Sequence, residues 1–204
     1  MDIQSAFQMP STAIAKAISA RSSSITAAFV SSILPIVPPT DNEILQALRI
    51  LAMELDNVRC AYCGDKSSEW DHLRPIVTEQ RPTGFISEIR NLVPSCGKCN
   101  QSKGRSHWRQ WMLGPAKRSP KTRKIADLHE RVARIESYEK WGNLKPIDFT
   151  TIVPPDLWQE HWSNMSQLHN DMKSAQEVAL RVRRAIADKM FQHDAAEVTV
   201  KPRR

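Results

Sequence analysis

Residues 95–104 read "SCGKCNQSKG", and this stretch decides the fold. It contains Cys96 and Cys99 two residues apart, and an earlier pair, Cys60 and Cys63, has the same spacing. Each two-residue gap lets a tight turn direct two thiolates at one ion, and two such turns complete a tetrahedral site of four sulfurs. The pattern predicts a structural Zn²⁺ site, with an iron–sulfur centre as the alternative.

A closed four-sulfur site has no open coordination position, so this zinc cannot be a catalytic metal. Its predicted role is to clamp residues 58–64 against residues 95–100. The chain opens with Met-Asp-Ile-Gln, which is not the basic start of a secretory signal. We therefore expect a reducing, cytoplasmic compartment, in which four cysteines favour metal binding over disulfides.

The composition is that of a soluble globular protein that binds a polyanion. Hydrophobic residues make up 41% of the 204 residues, charged residues make up 25%, and the net charge is +7 with a pI near 9.4. This basic balance favours nucleic acid as a partner over other macromolecules. The apolar stretch at residues 25–37 is too short and too rich in serine to span a membrane, so no membrane contact is expected.

Four segments follow from the distribution of proline, cysteine and helical periodicity. Residues 1–39 are predicted to be a weakly ordered segment that ends in a proline-rich linker, and residues 40–57 a helix that packs on the core. Thr40 or Asp41 would cap this helix. Residues 58–113 hold the cysteines and form the core. Residues 114–204 are predicted to be helical, with a basic start and a basic tail.

Two helices are predicted in the C-terminal segment. Ser119 and Pro120 have the residue types of an N-cap and a first helical position, and Trp141-Gly142 supplies the stop. A second helix follows Pro154-Pro155 and carries apolar residues at alternating steps of three and four. This seam is interpreted as packing within the chain, with a helical dimer contact as the alternative. Its members are Met165, Leu168, Met172, Ala175, Ala179, Val182 and Ile186.

The sequence between the two cysteine pairs carries a set of polar residues in a fixed order. Asp71-His72 comes eight residues after Cys63, Asn91-Leu-Val-Pro leads to the second pair, and Asn100-x-x-Lys103-Gly follows it. This order resembles the zinc-bearing branch of the HNH endonuclease family, over residues 58 to about 113. The resemblance implies an α+β fold: a mainly helical chain around a small ββα-metal core, two strands and a helix, with a zinc site made by the four cysteines.

The resemblance also implies a role for each polar residue. His72, neutral near its working pH, would take a proton from water. Asp71 and Asn100 would hold a catalytic Mg²⁺ or Mn²⁺, because such hard ions prefer oxygen ligands. Asn91 would fix the orientation of His72 by hydrogen bonds across the loop. A third protein ligand is not obvious from the sequence.

The adjacency of Asp71 and His72 raises a geometric difficulty. Neighbouring side chains on a strand point to opposite faces unless the strand is distorted. The family has a bend at this point, and the resemblance implies the same bend here.

The residues after Asn100 form a basic track. Residues 101–145 contain twelve Lys or Arg and four Asp or Glu, a balance of +8 that exceeds the charge of the whole chain. A cluster of this kind beside a phosphodiester site predicts contact with the DNA backbone. The buried face of the same segment is expected to hold Trp108 and Trp111. The candidate DNA-binding residues are Lys103, Arg105, Arg109, Lys117, Arg118, Lys121, Arg123 and Lys124.

The resulting hypothesis is a metal-dependent HNH endonuclease that hydrolyses double-stranded DNA to 5′-phosphate and 3′-hydroxyl ends. A restriction or defence role is favoured on size, and a homing or phage nuclease is the related alternative. The rival class is a zinc module that binds DNA without cutting it. A nuclease for RNA or structured DNA is a third option. A duplex cutter needs two active sites or two visits, so a homodimer is expected to be compatible with the function.

Overall fold

The computed structural model of the protein describes residues 17–197, with side chains as far as Met190. The chain divides into two compact units. One is Ala27–Val153, and the other combines residues from both ends of the chain, up to Thr26 and from Pro154 onward. The segment predicted as 114–204 is thus shared between the two. Among the described helices, none has both the length and the apolar character that a bilayer span requires.

Two helices precede the cysteine-rich core. Helix α1 is Ser22–Ile33, which lies in the segment predicted to be weakly ordered, and helix α2 is Asp41–Leu51. Thr40, one of the two predicted caps, is the N-cap of α2, and it forms a reciprocal capping box with Glu43. The helix ends at Leu51, six residues before the end of the predicted segment 40–57, because Ala52 adopts the left-handed conformation.

The core consists of two strands and a helix. Strand β1, Glu69–His72, pairs antiparallel with β4, Leu92–Ser95, in a continuous register that sets Trp70 opposite Pro94 and Asp71 opposite Val93. Helix α3, Gly97–Lys103, follows directly. Between β1 and β4 the chain forms a small hairpin of β2, Val77–Thr78, and β3, Arg81–Pro82. This confirms the predicted fold class, a helical chain around a ββα core.

Apolar side chains from the flanking helices complete the core. Helix α4, Trp108–Leu113, buries Trp108 and Trp111, as predicted. Helix α5, Leu128–Gly142, buries Ile135 and places the Tyr138 hydroxyl where it donates to the Leu92 carbonyl at 3.0 Å. This hydrogen bond connects α5 to the start of β4, which is the strand that leads to the second cysteine pair.

The predicted start of α5 is wrong. Ser119 and Pro120 are both buried, and the Ser119 hydroxyl accepts from the Thr122 amide within a series of turns. Lys124 then adopts a positive φ of 56°, which interrupts helical geometry, and the helix begins at Leu128. The predicted stop at Gly142 is confirmed, with Asn143 in the left-handed conformation at the C-cap.

The second unit is built on one long helix. Helix α6 runs over Pro155–Glu197, 43 residues, and begins where the sequence predicted. A short 3₁₀ turn, Ile18–Arg21, packs against it, and the Ile18 amide donates to the Gln176 side chain at 2.6 Å. Met165 and Met172 of the predicted seam are buried, whereas Val182 and Ile186 are more than half exposed. The seam therefore packs within the unit at Met165 and Met172, whereas Leu168 between them is exposed.

Candidate functional site

The four cysteines converge at one point. Their sulfur atoms all lie within 4.8 Å of one another, and all four residues are buried. The Sγ atoms of Cys63 and Cys96 are 3.7 Å apart. A tetrahedral zinc ion with bonds of about 2.3 Å requires its sulfurs to be roughly 3.8 Å apart, so the cluster fits the ion. Zn²⁺ held here would join the segment before β1 to the segment after β4.

The backbone around the first cysteine pair depends on a glycine. Gly64 has a φ of +79°, and a Cβ at this position would lie 2.5 Å from the Arg131 guanidinium. Arg131 also donates to the Cys60 carbonyl at 3.3 Å. A larger residue at position 64 would therefore strain the turn and displace the arginine that braces it.

Arginine also neutralises the thiolate cluster. Arg123 places one nitrogen 3.5 Å from the Cys99 sulfur and another 2.8 Å from Asp65. Hydrogen bonds within the cluster lower the pKa of the Cys60 thiol and raise the pKa of the Cys99 thiol, so negative charge is held first at Cys60. Arg123 was predicted to bind DNA, but its head group contacts Cys99 and Asp65.

Strand β1 alternates two kinds of side chain. Asp71 faces helix α3 and is buried, accepting from the Tyr62 hydroxyl at 2.7 Å. His72 has a different partner, Ser87 in the loop between the strands, at 2.8 Å from its Nε2 atom. The β1–β4 register contains no extra residue, so the bend expected at Asp71-His72 is not seen and the two side chains leave opposite faces.

Lys103 forms a buried ion pair with the Asp71 carboxylate. Its Nζ atom lies 3.2 Å from both oxygens of Asp71 and 2.8 Å from the His72 carbonyl oxygen. Lys103 is only 1% exposed, so the predicted contact of this lysine with a DNA phosphate is wrong for this structure. Burial raises the pKa of Asp71 despite the neighbouring ammonium, and it lowers the pKa of Lys103.

The imidazole of His72 is held in its neutral form. Burial is the main cause that lowers its pKa to about 4, and the nearby Lys103 charge adds to the effect. The side chain remains half-buried rather than enclosed. A neutral imidazole has one ring nitrogen that donates and one that accepts a proton.

Asn91 ties the two ends of the connecting loop together. It is fully buried, and its Oδ1 accepts from the Arg74 amide at 2.8 Å. Its Nδ2 donates to the carbonyls of Arg74 and Ile86, at 3.2 and 3.1 Å. Three hydrogen bonds thus fix the loop immediately after His72, in agreement with a structural role across the loop.

Asn100 does not meet Asp71 in this structure. Its side-chain amide donates to Glu69 at 2.6 Å, and Glu69 lies two residues before Asp71 on the face of β1 that meets α3. These three side chains offer two carboxylates and an amide oxygen, a donor set that fits Mg²⁺ or Mn²⁺. Glu69 was not predicted as a site residue. The alternation Glu69-x-Asp71 beside Asn100 could have indicated it.

The remaining predicted DNA-binding residues are exposed, and they follow the turns after helix α3. Arg109 is partly exposed and pairs with Glu136 of α5. Two further residues of the site, Tyr62 and Ser87, carry no sequence signal of their own, because they become visible only through their contacts with Asp71 and His72. The exposed residues of the track are Arg105, Arg109, Lys117, Arg118, Lys121 and Lys124.

Comparison with known proteins agrees with this geometry. Residues 60–106 match the family model described as HNH endonuclease. A stretch of 67 residues, 31% of this chain, is 36% identical to the CRISPR-associated endonuclease Cas9 of Corynebacterium diphtheriae, and the match covers 6% of the length of that protein. The search of solved structures found no match.

Proposed function

We propose, on the premise that residues 60–106 form an HNH endonuclease domain, that the protein is a metal-dependent endonuclease that hydrolyses DNA. The observation that carries this proposal is a neutral, half-exposed His72 on the same four-residue strand as a carboxylate–amide group, which occupies the opposite face of that strand. A stabilising role alone does not require a base and an oxygen-donor set on one short strand.

The chain's residues divide the work of phosphodiester hydrolysis between them. His72 takes the proton from the attacking water at the ring nitrogen that Ser87 does not engage. Asp71, Glu69 and Asn100 would hold a divalent ion, which supplies charge stabilisation at the scissile phosphate and the leaving 3′ oxygen when bound. Asn91 keeps the loop after His72 in place. The products would be a 5′-phosphate and a 3′-hydroxyl.

Two rearrangements are required to form that ion site from the observed contacts. Asn100 must turn its amide so that its oxygen, rather than its nitrogen, faces Glu69. Lys103 must share Asp71 with the ion, and it is already bonded to both carboxylate oxygens. Both changes are side-chain movements, and the backbone of β1 and α3 stays as it is.

Double-stranded DNA is the proposed substrate, and the exposed basic residues between Arg105 and Lys124 are its proposed backbone contacts. A restriction or defence role is proposed ahead of a homing or phage role. Sequencing the ends of cleaved plasmid tests both points, because it reports the cleaved sequence, the offset between the cuts on the two strands and the chemical groups at the ends. A scattered set of ends, with no preferred sequence, would contradict a restriction role.

One observation favours a second candidate, a zinc module that binds DNA without cutting it. Asp71 is occupied by Lys103, and Asn100 by Glu69, so each proposed metal ligand already has a partner within the protein. A module of this kind would keep the cysteines and the basic track but would not depend on His72.

Plasmid cleavage with Mg²⁺ or Mn²⁺ separates the two candidates. We expect the wild-type protein to cut, and His72→Ala to lose about 10²- to 10⁴-fold in rate while DNA affinity is unchanged. His129, an exposed histidine on α5, is the matched control, and His129→Ala should cut normally. Equal cleavage by wild type and His72→Ala, or no cleavage by either, would support the non-catalytic module.

A further inference from the structure

The outer face of the β1–β4 pair carries an apolar groove on the same side of β1 as His72, and Ser87, the partner of His72, is among the residues that line it. A cavity of about 480 Å³ lies between this face and helix α2, and it is lined almost entirely by apolar atoms. We call it the α2 groove and define it by Ile36, Leu48, Leu55, Trp70 and Pro94. Ile36 is 79% exposed, Leu55 68% and Trp70 60%. Three large apolar side chains this exposed around one cavity are typical of an interaction site.

The charge around the groove argues against DNA as its occupant. Residues 41–57, which form α2 and the turn after it, contain four acidic residues and one arginine, a balance of −3 in a chain of +7. A DNA backbone is repelled by such a rim. The occupant must be an apolar surface with basic flanks.

The chain itself carries a surface of that description on helix α6. Val178, Val182, Ile186 and Met190 recur at every fourth residue, and we call them the α6 ridge. Their exposed fractions are 48%, 53%, 56% and 63%, so no described residue covers them. At 1.5 Å per residue the ridge is about 18 Å long. Residues 177–190 contain four basic and two acidic residues, a balance of +2.

We propose that the α2 groove is a docking site for the α6 ridge of a second copy of this chain. An amphipathic helix that lays its apolar face into a hydrophobic groove is a common recognition mode, read as apolar residues at steps of three and four. The basic flanks of the ridge meet the acidic rim of the groove. A two-fold dimer contains this contact twice, since each copy supplies one ridge and one groove.

A direct pairing of two ridges is the competing arrangement, and two features disfavour it. Among the residues whose side chains are described, the α6 ridge spans about two heptads, whereas a stable coiled coil is identified from three or four. Arg181, Arg183 and Arg184 flank the ridge, so two ridges side by side would bring like charges together. The same arginines are attracted to the groove rim.

Sedimentation of the full chain with bound zinc tests the proposal. We expect wild type to be mostly dimeric at a protein concentration of about 100 μM. Ile186→Glu on the ridge and Leu55→Asp in the groove should each weaken the dimer at least tenfold, because each places a carboxylate in an apolar contact. Both positions are more than half exposed, so folding should be unaffected. The matched control is Leu157→Glu on the same helix, which is 55% exposed and should leave the dimer unchanged.

Mixing the two variants gives the decisive result. Ile186→Glu has an intact groove and Leu55→Asp an intact ridge, so an equimolar mixture should form a heterodimer through one contact, and this heterodimer should be tighter than the homodimer of either variant. A monomeric wild type overturns the proposal. A dimer lost in Ile186→Glu but kept in Leu55→Asp also overturns it, and indicates ridge–ridge pairing. Because no DNA is used, the outcome is independent of whether the protein is a nuclease.

Discussion

The two faces of strand β1 differ in character, although only four residues supply them. The face toward α3 carries Glu69 and Asp71, which contact an amide, a hydroxyl and a buried ammonium. The opposite face carries Trp70, beside an apolar groove, and His72, bonded to a serine. A strand that alternates at every residue lets the fold separate charge from apolar surface without added length. The proposed base and the proposed metal ligands consequently lie on different faces of β1.

Zn²⁺ held by the four cysteines would be the largest single support for this arrangement, since it would join the segments beside both strands. Removal of the ion by a chelator, or Cys96→Ser, should unfold the core, because zinc binding contributes directly to the folding free energy of small metal domains. Circular dichroism and the melting temperature measure the loss, and addition of Zn²⁺ to the chelated wild type should reverse it. A core that melts at the same temperature with and without chelator would contradict a structural zinc.

The α3-facing side of β1 should govern stability as well as activity. Asp71→Asn leaves the Lys103 ammonium buried without its counter-charge, which should cost about 3 kcal/mol in the free energy of unfolding. Cleavage should fall about 10³-fold, because the anionic oxygen donor is lost. Denaturant unfolding and plasmid cleavage report the two effects.

A second substitution separates the loss of stability from the loss of cleavage. In Asp71→Asn combined with Lys103→Met, the buried charge is gone, and stability should recover by more than half while cleavage stays low. If the double variant is less stable than Asp71→Asn alone, the burial of Lys103 is not what makes the single change costly.

Substitution in the loop between β1 and β4 should cause a loss of stability of intermediate size. Asn91→Ala removes three hydrogen bonds and leaves buried backbone groups of Arg74 and Ile86 without partners. We expect a loss of about 1–3 kcal/mol in the free energy of unfolding. Exposed Asn143, at the C-cap of α5, provides a comparison, and Asn143→Gly should cost far less. Equal losses at the two positions would argue against a special role for Asn91.

The parts of this site that the sequence predicted are those set by local spacing. The two cysteine pairs bring their sulfurs together because a tight turn has a fixed geometry, and the N-cap at Thr40 follows from its residue type. The bend expected at Asp71-His72 came from the resemblance, and the regular register of β1 and β4 does not show it.

The parts that the sequence did not predict depend on long-range packing. Lys103 and Arg123 are basic residues in a basic segment, and nothing local shows that one is buried against Asp71 and the other against Cys99. Their partners lie 32 and 24 residues away in the chain. The late start of α5 has a similar cause, because Ser119 and Pro120 are drawn into the core instead of capping a helix.

The His72 side of β1 gives the smallest effect and the sharpest contrast with Asp71. Ser87→Ala removes the hydroxyl that contacts the His72 Nε2 atom but deletes no buried charge. One hydrogen bond of about 1 kcal/mol corresponds to a roughly fivefold fall in kcat, and KM for plasmid should not change. Ser87→Thr keeps the hydroxyl and should restore the rate. Because Ser87 acts on the ring alone, the melting temperature should shift little in either variant. If Ser87→Ala lowers the melting temperature as much as Asp71→Asn does, the two faces of β1 are not separable and the contrast between them fails.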